Sequence, residues 1–267
     1  MCTGACSKFI AVPLYVLALV SIICNIMLFF PDFETSYAAT DRKGTDRITE
    51  EVKYMGGVIG GGIMVLIPAI HIHLTSANKC CANRCGMFLS IGFAAAGVVG
   101  ALYSLSVASV GLVNGPLCYW SNAQNPIPRW GTPFSNRCNS IFLFISALRT
   151  GISNTFNCIA VMFLCLTTQL LFILFSNGSY LDNRDMWEWC WLPENVVEFN
   201  VALFSTLLVA AIVELVLCLI QMVNGLCGCI CGTCSSKDVR PEQPSNIHTA
   251  HCIEIAKLFL PLLKRHH

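Results

Sequence analysis

The chain specifies an all-α membrane protein: a four-transmembrane-helix bundle with a small and a large extracellular loop. Three observations carry that reading. Of 267 residues, 55% are hydrophobic and only 12% charged. The apolar residues lie in continuous blocks, whereas a soluble core needs one stripe per helix. The short stretch between the second and third blocks holds Lys79 and Arg84 with no acid. Ordinary soluble domains are roughly a quarter charged, so the composition excludes a soluble enzyme, a disordered chain and a collagen-like rod. A net charge of +1 without a basic stripe also argues against nucleic acid as a partner, since nothing would neutralise its phosphates.

A helix crosses the hydrocarbon core with about 20 apolar residues. The first block, Phe9 to Phe30, follows Lys8 and stops at Pro31-Asp32. It is too long for a cleaved signal peptide and lacks a small-residue cleavage site, so it reads as a retained signal-anchor. The second runs from about Tyr54 to Leu74, with Glu50, Glu51 and Lys53 just outside it and Pro68 expected to kink it. The third, Met87 to Leu112, meets a strong helix stop at Asn114-Gly115-Pro116. The last is Phe199 to Val223, before Asn224-Gly225. Spans at about 9–30, 54–74, 87–112 and 199–223 thus make a membrane domain over 1–234, with a large loop at 113–198 and a cytoplasmic tail at 235–267.

One further apolar block, Ile141 to Phe175, is broken by Arg149-Thr150-Gly151 and Ser153-Asn154. It reads as a fifth span, a re-entrant or interfacial hairpin, or an insertion. Lys and Arg mark cytoplasmic flanks, which places the Lys79–Arg84 loop inside. Arg42, Lys43, Arg47 and Lys53 in the first loop run against this orientation. An even number of crossings keeps the basic tail, with Lys237, Arg240, Lys257, Lys264 and Arg265, in the cytoplasm. The sequon Asn177-Gly178-Ser179 is meaningful only on the luminal or extracellular side and favours the same count.

Several stretches then assemble in order. They are Met1-Cys2-Thr3-Gly4, Asn25-Ile26-Met27-Leu28, Glu34-Thr35-Ser36-Tyr37, Gly56-Gly57-Val58-Ile59-Gly60-Gly61-Gly62 and Asn114-Gly115-Pro116-Leu117-Cys118. Tyr180-Leu181, Trp187 and Cys190, Pro193-Glu194-Asn195-Val196-Val197 and Asn200-Val201-Ala202-Leu203-Phe204-Ser205 follow, with Glu214 and Gln221 after them. In these the chain resembles the transmembrane-four L-six family, tetraspanin-like proteins with cytoplasmic ends. It departs from that pattern by interposing an apolar insert at about 138–176 in the large loop, and by the long tail. Cys80-Cys81 lies in the inner loop rather than in a Cys-Cys-Gly motif of the large loop, so the chain is not a tetraspanin.

Seventeen cysteines need sorting. Cys2, Cys6, Cys80, Cys81, Cys85, Cys227, Cys229, Cys231 and Cys234 sit at cytoplasmic membrane edges, where thiols stay reduced and palmitate is the natural modification. The resemblance implies the same. Zinc at Cys227, Cys229, Cys231 and Cys234 is the rival, though the spacing is tight for paired knuckles, and unmodified thiols are the plain alternative. Cys118 and Cys190 lie within matching motifs and are paired on that ground, with Cys138 as a third candidate. Such a bridge would stabilise the loop by roughly 4 kcal/mol.

Asn25, Glu214 and Gln221 are the polar exceptions within the spans. Glu214 is expected to be protonated and hydrogen-bonded to Asn25 of a neighbouring helix, a structural tie; handling of a proton, cation or polar ligand is the functional alternative. His71 and His73, two apart, splay on a helix and do not share a metal. Gly92, Ala96, Gly100, Ser104 and Ala108 form a smooth stripe, as do Gly56, Gly57, Gly60 and Gly61, where helices approach closely or a dimer forms. Trp187, Trp189 and Trp191 suit an interfacial aromatic belt.

No nucleophile, base and orienting group recur in a catalytic arrangement, so neither enzymatic activity nor a cofactor is expected. The resemblance implies an adaptor in the lipid bilayer that gathers receptors, integrins or further copies in acylated patches, affecting adhesion, growth or signalling. The plasma membrane is the expected site, with endosome or lysosome as alternatives. The contrasting reading is a transporter, channel subunit or small-ligand sensor built on Glu214.

Overall fold

The structure, a computed structural model, describes residues 3–31, 48–77, 84–123, 125–135 and 180–231. The insert at 138–176, Cys138, Asn177 and the 235–267 tail lie outside them. Helix α1 spans Thr3–Leu28. A short α2, Glu50–Lys53, leads to a π-helix, Gly57–Met64, and α3, Val65–Ala77. Helix α4 spans Arg84–Asn114. Strands β1, Cys118–Asn122, and β2, Asn125–Gly131, precede a 3-10 helix at Arg184–Trp189, strand β3 at Cys190–Leu192 and helix α5 at Val196–Cys231.

Among the described residues, four helical segments are long and apolar enough to cross a membrane: Phe9–Leu28, Glu50–His73, Leu89–Asn114 and Val196–Leu226. They form a closed ring, with α1 packed on α3 and α5, and α4 packed on α3 and α5. The outward faces are apolar. Along α1 they present Phe9, Val12, Val16, Leu19, Ile23 and Ile26, and along α5 Val209, Val213, Val216, Ile220 and Val223. Water-soluble monomers rarely expose so continuous an apolar surface, whereas lipid tails accept it.

The second crossing differs from a single kinked helix starting at Tyr54. Helical winding already begins at Glu50, breaks at Met55, whose φ is 51°, and resumes in π form. Glycine favours the helix poorly, and the π winding ends at Met64, four residues before Pro68. Pro68 has no N–H to offer the Met64 carbonyl, so the α-type hydrogen bond between them is missing where the winding changes. Helix α4 does stop at Asn114 as the Asn-Gly-Pro signal dictates. Gly115 takes φ 69° and donates its N–H to the Gly111 carbonyl at 3.2 Å, a left-handed helix cap.

The glycine pairs of the second crossing divide between two neighbours. A Cβ on Gly60 would lie 2.5 Å from the Gly100 carbonyl oxygen of α4, and one on Gly56 2.7 Å from Val107 Cβ. One on Gly57 or Gly61 would press on Ser21 of α1. Gly92 departs from the expected stripe, since nothing lies within 4 Å of its Cβ position. It is one of the exposed positions of α4, below the level at which Gly100 and Ser104 meet the glycines.

At one end of the bundle the strands form a three-stranded antiparallel sheet in the order β2-β1-β3. Pro126 and Pro128 in β2 lack a donor, and β2 is accordingly an edge strand. This headpiece encloses its own small core of Cys118, Trp120, Phe134, Tyr180, Val196 and Val197.

Candidate functional site

The headpiece is built around β1. Tyr119 pairs with Trp130 of β2 and with Leu192 of β3, and Trp120 with Arg129 and Cys190. That register brings Cys118 and Cys190 together, and they are disulfide-bonded with their Cα atoms 5.6 Å apart. Cys118 is fully buried. Phe134 stacks on Tyr180 with ring centroids 4.4 Å apart, and Trp189 lies beyond at 6.2 Å from Phe134. Tyr180 anchors this stack to the bundle, because its hydroxyl donates to the Leu112 carbonyl of α4. Burial holds its phenol above the ordinary range. The Trp187 indole donates to the Tyr180 carbonyl at 2.7 Å. The guanidinium groups of Arg129 and Arg184 sit over the Trp120 and Trp187 rings at 5.4 and 5.3 Å.

The three tryptophans expected in an aromatic belt have different surroundings. Trp187 and Trp189 pack against the headpiece core, because a 3-10 helix turns them inward against Tyr180 and Phe134. Trp191 is 53% exposed, and Ile127 at 79% is a second apolar residue presented outward.

Inside the bundle the polar residues do not converge on one site. Glu214 and Asn25 do not bond to each other. Glu214 Oε1 accepts from the Ser21 hydroxyl at 3.2 Å, while Asn25 Oδ1 accepts from the Val58 backbone N–H at 3.1 Å. The reason lies in the π-helix. Val58 falls in its first turn, where a backbone donor has no intrahelical partner, and Asn25 supplies the acceptor. Gln221 Nε2 donates to Ser90 Oγ at 3.1 Å. Each polar side chain thus ties a different pair of helices: α5 to α1, α1 to the π-helix, α5 to α4. Glu214 is fully buried, and its Oε2 has no hydrogen-bond partner among the described residues. Ser21 and Ser90 were not singled out in the sequence, because a serine within an apolar block gives no signal of its own.

His71 and His73 have separate neighbours, Phe93 and Tyr15, as their spacing requires. Among the described residues no group of three or more His, Cys, Asp or Glu could hold a metal. Of the candidate acylation sites, Cys6 lies in α1, Cys85 in the first turn of α4, and Cys227, Cys229 and Cys231 in the last turns of α5. The antiparallel course of the bundle puts these at the end opposite the headpiece. Cys2, Cys80, Cys81 and Cys234 lie outside the described residues.

The family model described as "L6 membrane protein" matches residues 1–235. Transmembrane 4 L6 family member 5 of Homo sapiens is 35% identical over 247 residues, covering 91% of this chain and 100% of that protein. Transmembrane 4 L6 family member 1 of Mus musculus is 32% identical, covering 89% of this chain and 97% of its own length. Member 4 of Rattus norvegicus is 31% identical, covering 88% and 94%. No solved structure matches.

Proposed function

Since this chain belongs to the L6 membrane protein family, a tetraspanin-like group of four-span membrane proteins, we propose that it works as a multi-pass membrane adaptor without catalytic activity. It gathers receptors, integrins or further copies of such proteins in acylated patches of the plasma membrane, and so acts on adhesion, growth or signalling. Both chain ends are cytoplasmic and the headpiece is extracellular.

The observation that carries this reading is the disulfide-pinned headpiece set directly on an apolar bundle. Disulfides persist in oxidising compartments, which supports an outward-facing headpiece, and the opposite end carries cysteines at the lipid edge. A folded platform outside, lipid anchors inside and polar interior groups already engaged between helices suit assembly better than turnover. The test is acyl-exchange labelling of the cell-expressed protein, followed by replacement of Cys6, Cys85, Cys227, Cys229 and Cys231 with serine. Labelling is expected in the native chain, and the substituted chain should reach the surface folded but lose its clustering by chemical cross-linking. Unlabelled cysteines would overturn the mechanism.

The unpartnered Oε2 of Glu214 favours one second reading, a polar-ligand or proton sensor. It requires Glu214→Gln to abolish a pH-dependent response while clustering survives. Loss of folding yield alone would leave Glu214 as a helix tie.

A further inference from the structure

The two edges of the headpiece sheet are unlike. On one edge, β2 carries Pro126 and Pro128, which cannot donate to a further strand. The opposite edge is β3, Cys190-Trp191-Leu192, where Trp191 is 53% and Leu192 46% exposed. This short strand bears neither a charge nor a proline, and apolar edges of that kind are ordinarily covered by a helix or loop. The outer face of the sheet is apolar as well. Trp120 and its partner Cys190 face the headpiece core. On the other face the register sets Trp130, Tyr119 and Leu192 in one row, with the rings of Tyr119 and Trp130 5.8 Å apart. A sheet with one solvated face carries polar residues there, whereas this row is apolar out to the β3 edge.

The chain passes beyond the described residues after Ser135 and rejoins them at Tyr180. The rings of Phe134 and Tyr180 stack 4.4 Å apart, and Phe134 lies 6.2 Å from Trp189, the residue before β3. Both ends of the stretch 136–179 are therefore fixed beside β3, on one side of the bundle. A single further crossing would part them by the hydrocarbon thickness, about 30 Å. Two crossings need two runs of about 20 apolar residues each, and the block at 141–175 is shorter than that and interrupted by Arg149. The links 136–140 and 176–179 extend by at most roughly 20 Å, so the apolar block begins and ends within reach of the edge.

We propose that the apolar block at 141–175 docks on the Trp130–Tyr119–Leu192 row and over the β3 edge. Apolar side chains then meet an apolar face that water would otherwise wet. Tethered at both ends, the block meets this face at an effective concentration on the order of millimolar, which a second copy or a separate partner does not reach.

Photocross-linking of the full-length chain, in detergent and in lipid nanodiscs, tests this. A benzophenone amino acid replaces Leu192, Trp191 or Ile127 in turn. Ile127 is the control, because it is 79% exposed but lies on β2, the far edge. Adducts within the chain are expected, joining the Leu192 and Trp191 sites to peptides from 141–175 at least about fivefold more than the Ile127 site. Equal yields from both edges, or adducts chiefly to lipid, to a second copy or to another protein, would overturn the proposal. Limited trypsin digestion is the second measurement. Leu192→Lys should speed cleavage after Arg149 by at least about fivefold while the Cys118–Cys190 bridge stays closed, and Ile127→Lys should not. A proline follows both positions, so neither substitution adds a site that trypsin cuts. An unchanged rate in folded Leu192→Lys also counts against docking; if that chain fails to fold, cross-linking from the Trp191 site decides. Neither readout depends on acylation or clustering, so failure here is distinct from failure of the adaptor reading.

Discussion

Single side chains decide how the headpiece meets the bundle. Tyr180 reaches from the stack on Phe134 to the Leu112 carbonyl, so Tyr180→Phe should cost about 0.5–1.5 kcal/mol, read as a lower unfolding midpoint of the purified protein. Its ionisation adds a pH signature. The phenol's ordinary value is 10.0, and burial raises it in the fold. The unfolded chain therefore loses this proton first. Stability should be flat below about pH 10 and fall above it, and the alkaline fall in headpiece tryptophan fluorescence should be smaller in Tyr180→Phe. Cys118→Ser opens a bridge spanning 72 residues. In the chain-entropy model that costs roughly 4 kcal/mol, expected as rapid trypsin cleavage of the headpiece while the bundle resists. Within the membrane, Ser21→Ala removes the hydrogen bond that Glu214 accepts among the described residues. Interhelical bonds of this kind average about 0.6 kcal/mol, so only a small fall in denaturation midpoint is expected.

Among the elements, the π-helix organises the rest. Its glycines let α1 and α4 approach from two sides, and backbone contact replaces the hydrophobic drive that lipid removes. Gly100→Leu would drive a side chain into Met64 and the Gly60 carbonyl and should destabilise the bundle by about 1–3 kcal/mol. Gly92→Leu, with open space at its Cβ, should change stability by less than about 0.5 kcal/mol. Denaturation in mixed micelles separates the two, and equal effects would refute this packing. The sequence stripe grouped Gly92 with Gly100 because both fit a four-residue spacing. Spacing does not say where a neighbouring helix ends its contact, and only the packed ring distinguishes them.

For the molecule as a whole, the four membrane-length helices among the described residues, with a headpiece at one end and cysteines at the other, suit an object polarised across a membrane. The sequon at Asn177 checks that polarity. Asn177→Gln should abolish an endoglycosidase-sensitive shift in mass of the cell-expressed protein, whereas a native chain without the shift would count against an outward loop. The proposed adaptor function depends on that polarity, because it needs partners and lipid anchors on opposite sides.

The four spanning helices of the described residues, the stop of α4 at Asn114 and the pairing of Cys118 with Cys190 were legible from the chain. Long apolar blocks, an Asn-Gly-Pro turn and motif resemblance are local or one-dimensional signals. The sheet, the inward packing of Trp187 and Trp189 and the partners of Glu214 and Asn25 were not. Each depends on which surfaces meet once the helices close their ring. Asn25 illustrates why: its partner is a backbone N–H exposed by a change of helical winding on another segment, and no side-chain pattern encodes that donor.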